Sequence, residues 1–152
     1  MLEHVSADDV EIGAQAGTWE EAIARSARYL LETGKIEQRY IDAMVDAVKR
    51  VGPYIVLTDQ VALAHARPEC GAVELAVHFT VFPDGIAFGT PFDPIRLIIT
   101  LAAVDDVSHL DLMAELATVL MDPANIDALV SSATPEEFVE RLKGCADAQA
   151  AA

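Results

Sequence analysis

At 152 residues the chain is the size of one ordinary domain, and with 53% hydrophobic residues it can bury a sizeable core. Its 25 Asp and Glu against 10 Lys and Arg give a formal charge of -15. That charge argues against nucleic acid as a partner, whose affinity rests on cations that neutralise phosphates, and favours partners with basic faces. No segment approaches the roughly 20 apolar residues of a membrane span. Glu3, Asp8, Asp9 and Glu11 stand where a signal peptide would be basic and then apolar, so the sequence predicts a cytoplasmic protein.

Residues 1–17 are acidic, then small and glycine-containing, without a period; they read as an N-terminal arm or an edge segment. Thr18 and Glu21 have the spacing of a capping box. Ala22, Ile23, Ala27, Leu30 and Leu31 then recur at helical spacing up to a stop at Gly34. A second helix is predicted over 37–51, with Ile41, Met44, Val45 and Val48 as its apolar stripe and Gly52-Pro53 at its end. Residues 54–57 read as a strand, followed by a break at Thr58-Asp59-Gln60 and a strand over 61–64. Residues 72–82 read as a further strand, Pro83-Asp84-Gly85 as a turn, and 86–88 as a short return strand. Residues 96–104 are almost continuously apolar, as in a strand covered on both faces.

Three helix starts follow: Ser108 as a cap, then Asp122-Pro123 and Thr134-Pro135, in which a capping residue precedes proline at the first helical position. The alanine-rich residues 145–152 read as a frayed tail, leaving 18–144 as the single folded domain. Strands interleaved with helices predict an α/β fold, a three-layer α/β/α sandwich, and the turn at 83–85 implies a mixed sheet.

The most informative stretch is Val61-Ala62-Leu63-Ala64-His65-Ala66-Arg67-Pro68-Glu69. It places one histidine at the end of a strand, between small alanines that leave the imidazole open, with a permanent cation two residues on. An open imidazole beside a guanidinium suits attack on an anionic group, phosphate above all. A second histidine, His109, follows Ser108 in the first turn of a helix, where unpaired N–H groups and the helix dipole favour an anion. His78 lies in an apolar strand and reads as a core histidine. A zinc site from His65, His78 and His109 has no ligand spacing in its favour. Cys70 lies near His65, but nothing nearby marks the orienting third group that a Cys-His nucleophile pair needs. Cys70 and Cys145 are too far apart for a CxxC or metal-ligand spacing.

The histidine segment does not stand alone. Tyr40-Ile41-Asp42-Ala43-Met44, Gly52-Pro53-Tyr54-Ile55-Val56, Phe88-Gly89, Pro94-Ile95-Arg96-Leu97-Ile98-Ile99, Leu101-Ala102-Ala103-Val104-Asp105 and Ser108-His109-Leu110 accompany it in order. This set resembles the enzyme IIA domains of the bacterial sugar phosphotransferase system, in the fructose/mannitol superfamily and closest to its ascorbate-type branch. The likeness covers 18–142. One position departs: the family usually has proline just before the active histidine, and this chain has Ala64.

The resemblance implies a cytoplasmic phosphocarrier without cofactor or metal. It would accept a phosphoryl group from the phosphohistidine of HPr on His65 and pass it to a cysteine of enzyme IIB, serving a membrane permease IIC for ascorbate or a related sugar. His109 would donate to or orient the phosphoryl group, Arg67 would balance its charge, and Ser108 would add a hydroxyl contact. A regulatory, phosphorylation-dependent binding module of the same fold is the alternative, and a homodimer is left open.

Overall fold

The computed structural model describes residues 2–151. Five strands form one mixed sheet in the order β1-β4-β5-β3-β2: β1 is Val10–Ile12, β2 Val56–Thr58, β3 Val61–Ala64, β4 Ala76–Ile86 and β5 Ile95–Ala102. β1 with β4 and β3 with β5 are parallel pairs; β4 with β5 and β2 with β3 are antiparallel. Helices α1 (Trp19–Glu32) and α2 (Gln38–Val51) cover one face, and α3 (Leu110–Leu120), α4 (Pro123–Val130) and α5 (Pro135–Ala151) the other. The expected three-layer sandwich is therefore what the chain forms.

The period-two geometry of the central strands divides the core in two. Ala62, Ala64, Ile98 and Ala102 point to α1 and α2, where they meet Ala22, Ile23, Tyr40, Met44 and Val48. Val61, Leu63, Leu97, Ile99 and Leu101 point the other way, to Leu112, Leu116, Val119, Phe138 and Leu142. Apart from Arg96 and Thr100, β5 is apolar because both of its faces are covered. Each fully buried Leu, Ile, Val or Phe side chain contributes about 1.5–3 kcal/mol by leaving water.

Local signals start the helices as expected in three places. Thr18 accepts the Glu21 N–H at 3.2 Å, Asp122 the Ala124 N–H at 3.0 Å and Thr134 the Glu137 N–H at 3.1 Å. The start of α3 differs. His109, not Ser108, is its N-cap residue, without a side-chain cap hydrogen bond; Asp105 closes the turn before it, accepting the Ser108 and Val107 N–H groups at 2.6 and 2.9 Å.

Two other expectations are corrected. Residues 83–85 do not turn the chain into a return strand. Gly85 does take a positive φ of 78°, but the segment is an irregularity within β4, and Ile86 still pairs with Ile95 of the same neighbour. The antiparallel pair is therefore β4 with β5. Residues 145–151 are the last turns of α5, because Cys145 and Ala146 pack against the second core and carry the helix past Gly144. Of the two readings of the first 17 residues, the edge segment is the one formed: they supply the edge strand β1 and bury Leu2, Val5, Val10 and Ala14. No helix of the described residues is long and apolar enough to cross a membrane.

Candidate functional site

The inner strands β3 and β5 run parallel, so their carboxyl ends lie at the same edge of the sheet. The chain leaves β3 at His65 and β5 at Ala103, and both exits open into a cleft of about 820 Å³. His65, Arg67, Cys70, Asp105 and His109 line it, with Tyr40, Asp46 and Arg50 from α2 and Tyr54 from the turn after α2. A crevice beyond the carboxyl ends of parallel strands is the usual place for a ligand in an α/β sheet.

His65 is half-buried and held on several sides. Its Nδ1 is 2.8 Å from the carbonyl oxygen of Leu63. A carbonyl only accepts, so Nδ1 carries the proton and the Nε2 lone pair is free. The Tyr54 hydroxyl donates to the His65 carbonyl at 2.9 Å, and the Tyr54 ring meets the imidazole edge-on, 5.4 Å between centroids at 80°. One residue on, the Ala66 N–H donates to the Tyr40 hydroxyl at 3.1 Å, which itself donates to the Leu101 carbonyl at 2.8 Å. Burial pushes both phenols above their ordinary pKa, so both remain donors.

The remaining sequence-predicted residues separate. His109 lines the same cleft, and its Nδ1 is buried without a hydrogen-bond partner among the described residues. No neighbour therefore fixes its tautomer. Arg67 also lines the cleft, exposed and free of ion pairs among the described residues, although Pro68 follows it. Ser108 is not among the lining residues; its N–H and hydroxyl face the Asp105 carboxylate, whose pKa these bonds lower. His78 lies away from the cleft, stacked on Tyr29 of α1 at 5.1 Å, so the three histidines do not converge on one centre.

Tyr40, Tyr54 and Asp105 take part in the site without having been singled out from the sequence. Arg50, in the last turn of α2, also borders the cleft, where Asp46 pairs with it at 2.8 Å. Asp105, Asp106 and Glu69 leave the cleft rim acidic.

The family described as phosphoenolpyruvate-dependent sugar phosphotransferase system, EIIA 2, matches residues 3–145. The chain belongs to this enzyme IIA family. Such components are phosphotransferase relay proteins of sugar transport, and this IIA domain is a phosphoryl carrier of the mannitol/ascorbate type. It is 30% identical over 140 residues to the mannitol-specific cryptic phosphotransferase enzyme IIA component of Escherichia coli, covering 92% of this chain and 95% of that one. It is equally similar, 30% over 137 residues and 89% of each chain, to the ascorbate-specific EIIA component of Salmonella choleraesuis.

Solved structures agree. The solution structure of the cryptic mannitol enzyme IIA superposes with a TM-score of 0.82, covering 92% and 95% of the two chains. Escherichia coli enzyme IIAMTL, in its complex with phosphorylated enzyme IIBMTL, superposes with a TM-score of 0.79 at 30% identity, covering 92% and 97%. The nitrogen regulatory protein IIA-Ntr of Neisseria meningitidis, at 17% identity and a TM-score of 0.77, shares the fold.

Proposed function

We propose that His65 is the phosphoryl acceptor and donor of this carrier, reacting through Nε2. The observation that carries this reading is the Nδ1 contact with the Leu63 carbonyl at 2.8 Å inside the cleft. In the first step the Nε2 lone pair attacks phosphorus and the N–P bond of a donor phosphohistidine breaks, its electron pair returning to the donor imidazole. In the second, a thiolate attacks the same phosphorus and the His65 imidazole leaves. Phosphoryl transfer of this kind asks for alignment and for positive groups about the equatorial oxygens. Arg67 supplies a free guanidinium. His109 supplies a donor whose proton is free to sit on whichever nitrogen faces the anion. Protein groups alone meet this demand, so the reading needs no cofactor.

The donor is HPr and the acceptor the cysteine of an enzyme IIB component, which serves a permease in the membrane. The relative solved in complex with a phosphorylated enzyme IIB supports the second assignment. The acidic rim and the charge of -15 support basic partner faces. The cargo is ascorbate or a related sugar, supported by the His65-Ala66-Arg67-Pro68-Glu69 segment and the ascorbate-specific relative.

Incubation with phosphoenolpyruvate, enzyme I and HPr tests the reading by intact mass. The chain gains one acid-labile phosphoryl group, and His65→Ala gains none. Supplying ascorbate-type and mannitol-type enzyme IIB in turn identifies the branch by which of them discharges the carrier faster. No gain on the native chain, with a control enzyme IIA labelled normally, would remove HPr as the donor. A gain that persists in His65→Ala would remove His65 as the acceptor.

A further inference from the structure

The family's usual proline before the active histidine would stiffen the approach to the ring by fixing its own φ. Here Ala64 occupies that position and lacks that restraint. Side-chain contacts fall instead on the far side of the histidine, on the His65–Ala66 peptide group. Its carbonyl accepts the Tyr54 hydroxyl at 2.9 Å, and its N–H donates to the Tyr40 hydroxyl at 3.1 Å. One phenol thus holds each end of a single peptide plane.

The two tyrosines are not equivalent. Tyr40 is fully buried and bridges to β5 through Leu101, so it belongs to the core as much as to the site. Tyr54 is 41% exposed at the mouth of the cleft, and its ring lies against the imidazole itself. Its backbone is firmly placed. Gly52, at φ 104°, ends α2, Tyr54 N–H donates to the Gly52 carbonyl at 2.8 Å, and Leu63 N–H donates to Ile55 at 2.8 Å, clipping the segment to β3. A large side chain left partly exposed on a rigid turn, with both its polar and its aromatic group spent on one histidine, contributes little to the core.

Resting on the reading of His65 as acceptor, we propose that Tyr54 is a positioning residue for phosphoryl transfer. Its hydroxyl fixes the His65–Ala66 peptide, and its ring confines the imidazole to the orientation in which Nδ1 meets Leu63 and Nε2 faces the incoming phosphorus. It thereby does from the following peptide what a proline would do from the preceding one. A ring free to rotate would present Nε2 in line only part of the time, and transfer would slow without loss of partner affinity.

The test compares Tyr54→Phe, which keeps the ring and loses the hydroxyl, with Tyr54→Leu, which loses both. Transfer from phospho-HPr is followed at steady state, and the His65 ring nitrogens by ¹⁵N NMR. Tyr54→Phe lowers kcat roughly threefold to tenfold, the worth of one neutral hydrogen bond, with KM for phospho-HPr unchanged. Tyr54→Leu lowers kcat further and replaces the single Nδ1–H tautomer by an exchanging mixture, while its amide spectrum stays folded. Native kcat and native ring signals in both variants would overturn the proposal. So would a rise in KM alone, which would make Tyr54 a docking residue. Failure of the acceptor reading looks different: the native chain itself takes no phosphoryl group on His65. The ring spectra of the unphosphorylated variants then still decide whether Tyr54 holds the imidazole.

Discussion

The Nδ1 of His65 donates to the carbonyl of Leu63, two residues earlier in β3, at 2.8 Å. This contact selects one of two chemically distinct nitrogens for reaction. The selection is made by backbone, which cannot change its hydrogen-bonding role with pH, so the exposed nitrogen stays nucleophilic whenever the ring is neutral. On the proposed reading, the strand that delivers the histidine also sets its reactive atom.

His109 is predicted to matter through its proton. His109→Ala lowers kcat for transfer by roughly 100- to 1,000-fold, the range for removing a donor from a charge-stabilising site. His109→Gln, which keeps a donor at similar reach, recovers part of that loss. Equal rates in all three proteins would take His109 out of the reaction.

Tyr40 carries a structural prediction. Its hydroxyl joins Leu101 of β5 to Ala66 of the histidine loop, and the ring is fully buried. Tyr40→Phe leaves a buried carbonyl and an N–H without a partner, which costs about 1–3 kcal/mol. Thermal unfolding falls by roughly 3–10 °C for a chain of this size. An unchanged melting temperature would mean that water replaces the phenol at no cost.

Two glycines have opposite signs. Gly85 sits at φ 78°, and a Cβ there would lie 2.5 Å from the Pro94 Cβ. Gly85→Ala therefore destabilises by about 1–3 kcal/mol. Gly144 lies inside α5 with nothing within 4 Å of a Cβ. Gly144→Ala stabilises by about 0.5–1 kcal/mol, since alanine loses less backbone freedom in a helix. Urea titrations of the two variants read both signs against the native midpoint.

His78 makes stability depend on pH. It is 4% exposed, stacked on Tyr29, with its Nδ1 unpartnered among the described residues. Burial lowers its pKa, outweighing the nearby Glu11 and Asp9, which raise it. The unfolded chain, with a histidine pKa of about 6.5, then binds the extra proton first. Stability from this group is complete above about pH 6.5 and is lost as pH falls through the depressed folded value. His78→Phe keeps an aromatic partner for Tyr29 and removes the unpartnered nitrogen. It should equal or exceed the native stability at neutral pH and lose less of it between about pH 7 and pH 5. Parallel losses in both proteins would show that His78 contributes nothing to the acid sensitivity.

What could be read in the sequence were features that act over a few residues. Thr18, Gly34, Asp122-Pro123 and Thr134-Pro135 mark helix ends wherever they occur, and the structure keeps them. Pro83-Asp84-Gly85 has the composition of a turn, but whether it turns or bulges depends on β5, which continues to pair beyond it. Gly144 stops a helix only if nothing beyond it packs, and Cys145 and Ala146 do pack. In the first 17 residues the buried Leu2, Val5 and Val10 fall on short turns and a three-residue strand, too brief to show a period.

Within the site, His65 was visible from its own neighbours, and His109 came to it through the family resemblance. The two tyrosine contacts had no local signature. Tyr54 reaches across 11 positions and Tyr40 across 26, and only the folded α2, β3 and β5 bring them to one peptide group. That Ser108 N–H turns to Asp105, leaving His109 as the N-cap residue of α3, likewise depends on loop geometry that the order of residues 105–109 does not specify.

The most direct test of the central claim is NMR of the phosphorylated chain with ¹⁵N-labelled histidine, which identifies the nitrogen bonded to phosphorus. The account predicts a single phosphohistidine at position 65, with the phosphoryl group on Nε2 and the proton retained on Nδ1. A phosphoryl group on Nδ1 of His65, or on any other residue, would contradict it.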